Sequence, residues 1–179
     1  MPKVNLSRLV RDAIKERRHI VDRGYILILD ENKVAKKTWT KKSVLKESKF
    51  GSLLYSYGIR VPVYFGIIYP DPRFIRSFFD MPIDHHYLVM QRINGRRFHD
   101  LDRTEKIDAL EQYKNEVSRA ARLGVTPENG FDISNCLYEE GKLYLIDFFH
   151  WKNSDSIGLE HFLSQLDLFY NNIRDSIKK

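Results

Sequence analysis

The 179-residue chain carries 30 Lys and Arg against 24 Asp and Glu, a net charge of +6, with 42% hydrophobic and 30% charged residues. That length and balance suit one folded domain with its own core and exclude a low-complexity or repeat protein. A single cysteine, Cys136, excludes an intramolecular disulfide framework. No apolar run is long enough to span a bilayer and no signal-peptide core opens the chain, so a reducing, cytoplasmic setting is the expectation.

Taken in order, Leu6, Leu9, Val10, Ala13 and Ile14 recur at helical spacing and predict a helix over about 6–18, with Asn5 or Ser7 as N-cap and Arg8, Arg11, Lys15 and Arg18 on the opposite face. The apolar run from Tyr25 to Leu29 reads as a strand entering a turn at Asp30-Glu31-Asn32, and Lys33 to Trp39 returns as the second strand of a hairpin. Residues 41–57 suit a helix that stops at Gly58. A strand follows from Val61 to Tyr69, then a loop rich in Pro and Asp from Pro70 to about Asp84, then a buried strand from Tyr87 to Ile93. Thereafter the pattern turns helical. A helix over about 103–123 has Ile107, Leu110, Tyr113, Val117, Ala120 and Ala121 on its apolar face. A short hairpin sets Cys136-Leu-Tyr against the segment from Leu143 to Asp147, turning at Glu140-Gly141, and a last helix over 159–177 buries Leu166, Phe169 and Tyr170 among others. Sheet first and helices later make the fold class α+β.

Several stretches carry chemistry. Val34-Ala35-Lys36-Lys37 resembles the V-A-I-K strand of protein kinases, with Lys37 in the lysine position. Glu47, in the next helix, is followed by Tyr57-Gly-Ile-Arg-Val-Pro; Tyr87-Leu-Val-Met-Gln-Arg-Ile-Asn-Gly has the form of a gatekeeper strand and hinge. Asn135 and Asp147 are twelve residues apart and bracket the hairpin, within Asp132-Ile-Ser-Asn-Cys-Leu-Tyr and Leu145-Ile-Asp-Phe-Phe. Together these resemble the small atypical kinases of the Bud32, RIO and aminoglycoside-phosphotransferase type, over nearly the whole chain from Tyr25 to about Ile173. The resemblance implies one minimal two-lobed kinase-like domain, with an upper lobe of about residues 1–91 and a lower lobe of about 92–179. It implies an ATP and Mg²⁺ site: Lys37 held by Glu47 against the phosphates, Met90 as gatekeeper, backbone groups around Gln91 to Ile93 on the adenine, and Asn135 with Asp147 on the metal.

Two departures from the family pattern bear on activity. No G-x-G-x-x-G precedes Lys37, with Gly24 alone in that region, so phosphate-cradling N–H groups are missing. The family's catalytic Asp lies five positions before the metal Asn, and that position here is Gly130. Asp132 is the candidate replacement, at the wrong spacing. A general base contributes roughly a hundred- to ten-thousandfold, so its loss leaves either a slow enzyme or a nucleotide binder. The expected functions are therefore transfer of the γ-phosphate to a protein Ser/Thr or a small-molecule or saccharide hydroxyl, or a pseudokinase that binds a protein partner. A nucleic-acid-associated role ranks third, on the basic charge. The histidines lack metal-ligand spacing, and Cys136 reads as a buried hydrophobe.

Overall fold

Alternation in the first hairpin decides what the sheet can bury. In the computed structural model, which describes residues 5–20, 23–38, 40–70, 85–154 and 158–179, β1 (His19–Ile20), β2 (Arg23–Ile28) and β3 (Lys33–Thr38) run antiparallel, followed in sequence by α2 (Lys41–Ser56), β4 (Tyr64–Ile68) and β5 (His86–Gln91). The five-stranded sheet has the order β1-β2-β3-β5-β4. Ala35 sits opposite Leu27 on β2 and Val89 on β5. These three join Leu29, Ile68 and Tyr87 on one face, where they are buried with Val10 and Ala13 of helix α1 (Leu6–Lys15). The apolar stripe of α1 thus closes one side of the sheet, as a helix on a half-apolar sheet must.

Helix α1 takes Asn5 as its N-cap and ends earlier than the periodicity predicts, because Arg17 adopts φ 52. In that conformation the Arg18 N–H reaches back to the Ala13 carbonyl at 3.0 Å. Trp39 and the expected loop over 71–84 lie outside the described residues.

The remaining elements are α3 (Arg103–Arg122), β6 (Val125–Pro127), β7 (Cys136–Glu139), β8 (Lys142–Leu145), β9 (Trp151–Asn153) and α4 (Leu159–Lys178). Asp102 and Glu105 form a reciprocal capping box that fixes the start of α3. The β7–β8 turn has φ of 49 at Glu140 and 74 at Gly141, the paired positive values of a type I′ hairpin. Helices α3 and α4 pack together through Tyr113 and Phe169, with ring centroids 5.9 Å apart, and through Lys114 and Asp167 at 2.7 Å. Phe131 contributes to the same aromatic group, 5.0 Å from Phe162 and 5.4 Å from Phe169.

The chain divides into two compact units, 1–49 with 63–92 and 50–62 with 93–179. Residues 50–62, expected in the first lobe, therefore belong with the second unit. The reason is polar. Arg60 donates to Gln112 Oε1 at 2.6 Å and to Glu116 at 3.3 Å, its carbonyl accepts from the Leu145 N–H at 2.9 Å, and Arg119 reaches the Tyr57 and Gly58 carbonyls at 3.3 Å. Among the described residues no helix is long and apolar enough to cross a membrane.

Candidate functional site

In the first unit, the charged centre is an ion pair. Lys36 Nζ donates to both carboxylate oxygens of Glu47, each at 2.9 Å. The Glu47 side chain is 2% exposed and that of Lys36 20%. A carboxylate so buried is tolerable only with a cation against it.

The lysine that holds Glu47 is thus Lys36, and the expected pairing of Lys37 with Glu47 is corrected by one residue. Successive strand residues face opposite sides, so this shift changes the face. Lys37 is paired across the sheet with Tyr87, on the face of Ala35 that α1 covers. Lys36 is paired with Leu88 on the other face. The signal was present in the sequence: a fully buried Ala35 requires its own face to point into the core, which sends Lys36 the opposite way.

Met90, the expected gatekeeper, is 8% exposed and lies between Val34 and Tyr64 in the sheet. Gln91 is committed twice to Val63: its N–H donates to the Val63 carbonyl at 2.7 Å, and its Oε1 accepts from the Val63 N–H at 3.3 Å. The Arg92 N–H donates to the Asn32 carbonyl at 2.9 Å. Those two backbone donors are already used within the protein, so neither is free to serve as the hinge donor that the resemblance implies. Ile93 is half-buried and belongs to the second unit.

The turn between β2 and β3 contains no glycine. Asp30 Oδ1 instead accepts from the Asn32 N–H at 2.8 Å and its Oδ2 binds Lys33 Nζ at 3.0 Å. Partial burial acts to raise the Asp30 pKa, but these bonds outweigh it and hold the carboxyl below its usual value. This Asp30–Lys33 pair stands at the turn where a glycine-rich loop would offer backbone N–H groups to a phosphate.

In the second unit, Asp132, Asn135 and Asp147 line one cavity of about 190 Å³ together with Gly130, Tyr113 and His150. Local hydrogen bonds fix the loop. The Asp132 N–H donates to the Tyr113 hydroxyl at 3.1 Å, while its Oδ1 caps the following turn by accepting from the Ser134 N–H at 2.9 Å. The Ile146 N–H then donates to the Asn135 carbonyl at 3.0 Å, tying the end of β8 to the start of β7. The Glu128 N–H donates to the His150 carbonyl at 2.6 Å, and the Asn129 amide meets His150 Nδ1 at 3.2 Å. The loop is pinned on both sides of Gly130.

Asp147 has φ 66 and ψ 68. Left-handed backbone is uncommon outside glycine, though Asp tolerates it better than most residues, and such conformations cluster at functional positions. Gly130, at φ 88, has nothing within 4 Å of where a Cβ would sit. Burial pushes the Tyr113 hydroxyl pKa up, so it stays protonated and serves the loop as a hydrogen-bonding group. Burial, and then the neighbouring Asp132, push the Cys136 thiol well up, in keeping with a packing role.

An amide oxygen and one or two carboxylates are hard ligands that fit Mg²⁺, which keeps several waters and takes its other ligands from phosphate. Among the described residues no group of three or more His, Cys, Asp or Glu is placed to hold a metal. Reading the sequence alone missed Lys36, Tyr113 and Asn129. Tyr113 was legible only as a core residue of α3, and its second role emerges from the loop packing against it.

No family profile matches the chain, and no curated protein matches it by sequence. Among solved structures, it is similar to the bifunctional kinase-methyltransferase WbdD, with a TM-score of 0.51 and 16% identity, over 80% of this chain and 34% of that one. The chain thus spans about a third of that protein's length. At this identity the likeness is one of fold, and the fold is α+β and kinase-like.

Proposed function

We propose that the protein is a kinase-like module that binds Mg-ATP, related in design to the small Bud32, RIO and aminoglycoside-phosphotransferase kinases. The observation that carries this reading is that Asn135 and Asp147, brought from the two ends of a hairpin, line one cavity. In this reading they hold Mg²⁺ on the nucleotide phosphates, and the metal supplies charge neutralisation. Within the first unit, taken by itself, Lys36 with its ammonium fixed by Glu47 is the candidate phosphate-binding cation. Lys36 takes the place that sequence spacing gave to Lys37.

Where the reaction runs, Asp132 is the carboxylate beside the metal pair that would accept the proton of an acceptor hydroxyl on a protein or saccharide. One of its oxygens already caps the turn at Ser134, which limits it as a base. Phosphoryl transfer is mostly positioning and charge stabilisation, so a poor base slows the reaction without forbidding it.

A second reading has a specific observation behind it: Gly130 stands where the family's base would be, and the hairpin turn presents Asp30 in place of glycine. On that reading the module binds nucleotide and a protein partner without turnover. Titration of ATP with and without Mg²⁺ tests the site that both readings share. Wild-type transfer of labelled γ-phosphate to protein or saccharide acceptors then separates them: transfer rules out the second.

A further inference from the structure

Away from the candidate metal site, the second unit has a groove of about 470 Å³ lined by Phe98, His99, Arg103, Lys106, Ile173 and Ile177. We propose that this groove binds a small amphiphilic anion, an apolar chain ending in one phosphate or carboxylate.

The cationic end comes from the first turns of α3. Arg103 donates to the Lys178 carbonyl at 2.8 Å, which holds its guanidinium across the last turn of α4. Lys106 is half-buried, and its ammonium has no hydrogen-bond or ion-pair partner among the described residues. The carboxylates nearby are engaged elsewhere. Asp102 caps α3 and Glu105 pairs with Arg96, while Asp100 lies 3.2 Å from His99 and withdraws that ring from the anion's partners. Arg103 and Lys106 are therefore the groups left to receive a negative head, one as a planar fork and the other as a point charge.

The apolar end comes from Phe98 on one side and Ile173 and Ile177 on the other, all half-buried. Inorganic phosphate would satisfy Lys106 but leave these side chains bare, and an uncharged hydrocarbon would cover them while desolvating an unpaired ammonium. Only a ligand with both parts uses both walls. The 3₁₀ turn Phe98–Asp100 is also adjacent to the loop of the metal pair, since Arg97 Nη1 donates to the Ser134 carbonyl at 2.8 Å.

The test is calorimetric titration of the full chain with octyl phosphate and octanoate below their micelle concentrations, with inorganic phosphate and 1-octanol as the separate halves. One-to-one binding of either amphiphile is expected, with each half at least about tenfold weaker. Lys106→Glu should weaken the amphiphile about tenfold or more, and Ile177→Ser severalfold, in proteins whose circular dichroism matches wild type. Asp147→Ala should leave it unchanged, so the outcome is independent of Mg-nucleotide binding. The proposal is overturned if neither amphiphile saturates, if inorganic phosphate binds as tightly, or if affinity is lost with Asp147→Ala and kept with Lys106→Glu.

Discussion

Glu47 is buried inside the first unit with Lys36 lying against both of its oxygens. Removing the lysine takes both of these bonds from a carboxylate with 2% of its surface in water. Lys36→Met should therefore lower the free energy of unfolding by about 2–4 kcal/mol, below the full buried-pair value because Lys36 itself keeps some solvent contact. Lys37→Met, on the other face, should cost less than about 1 kcal/mol. Urea melts of the two variants decide between them, and a larger loss for Lys37 would reverse the assignment. Asp147 poses the opposite case, a backbone held at φ 66. Asp147→Gly should be more stable than Asp147→Ala by about 1 kcal/mol, since only glycine adopts this conformation without penalty. Thermal melts of the two variants should show that order; equal melting temperatures would mean that the left-handed backbone is not retained.

Helix α2 ends through hydrogen bonds that need glycine. The Ile59 N–H reaches the Leu54 carbonyl at 3.1 Å and the Gly58 N–H reaches Tyr55 at 2.9 Å, with Gly58 at φ 71. This is a Schellman ending. Gly58→Ala should cost about 1 kcal/mol, measured by chemical denaturation; no loss would mean that the helix ends in another way. Between α3 and the β7–β8 hairpin, the Tyr138 hydroxyl donates to Asp108 Oδ2 at 2.5 Å, and Gln112 bonds both Asp108 and the Leu143 N–H. The bond to Asp108 is the main reason the Tyr138 pKa is pushed up to about 12, with burial second. The folded state holds this proton more tightly than the unfolded chain, whose tyrosine titrates near 10. Stability from this bond is thus complete below pH 10 and is lost as pH rises from 10 to 12. Tyr138→Phe should flatten that part of the stability–pH curve relative to wild type; identical slopes would mean that the bond adds no pH-dependent stability.

The elements were legible because their signals are local: stripes on α1, α3 and α4, Gly58 after α2, and Glu140-Gly141 in a hairpin. What escaped was set by partners distant in sequence. Residues 50–62 fall with the second unit because Arg60 finds Gln112 and Glu116, and no local pattern announces a bond across more than fifty residues. That Asn135 and Asp147 would line one cavity was legible because they flank one hairpin, whereas the lysine paired with Glu47 is set by the face that Ala35 buries, which kinase spacing does not report.

The molecule as a whole has a kinase-like fold with a short set of polar groups in one cavity, and the proposed function requires those groups to bind magnesium nucleotide. The most direct measurement is calorimetric titration of ATP, with and without Mg²⁺, on wild type and Asp147→Ala. The expected result is saturable binding that requires Mg²⁺ and falls at least about tenfold in the variant. Absence of binding at millimolar ATP, or binding indifferent to both Mg²⁺ and Asp147, would contradict it.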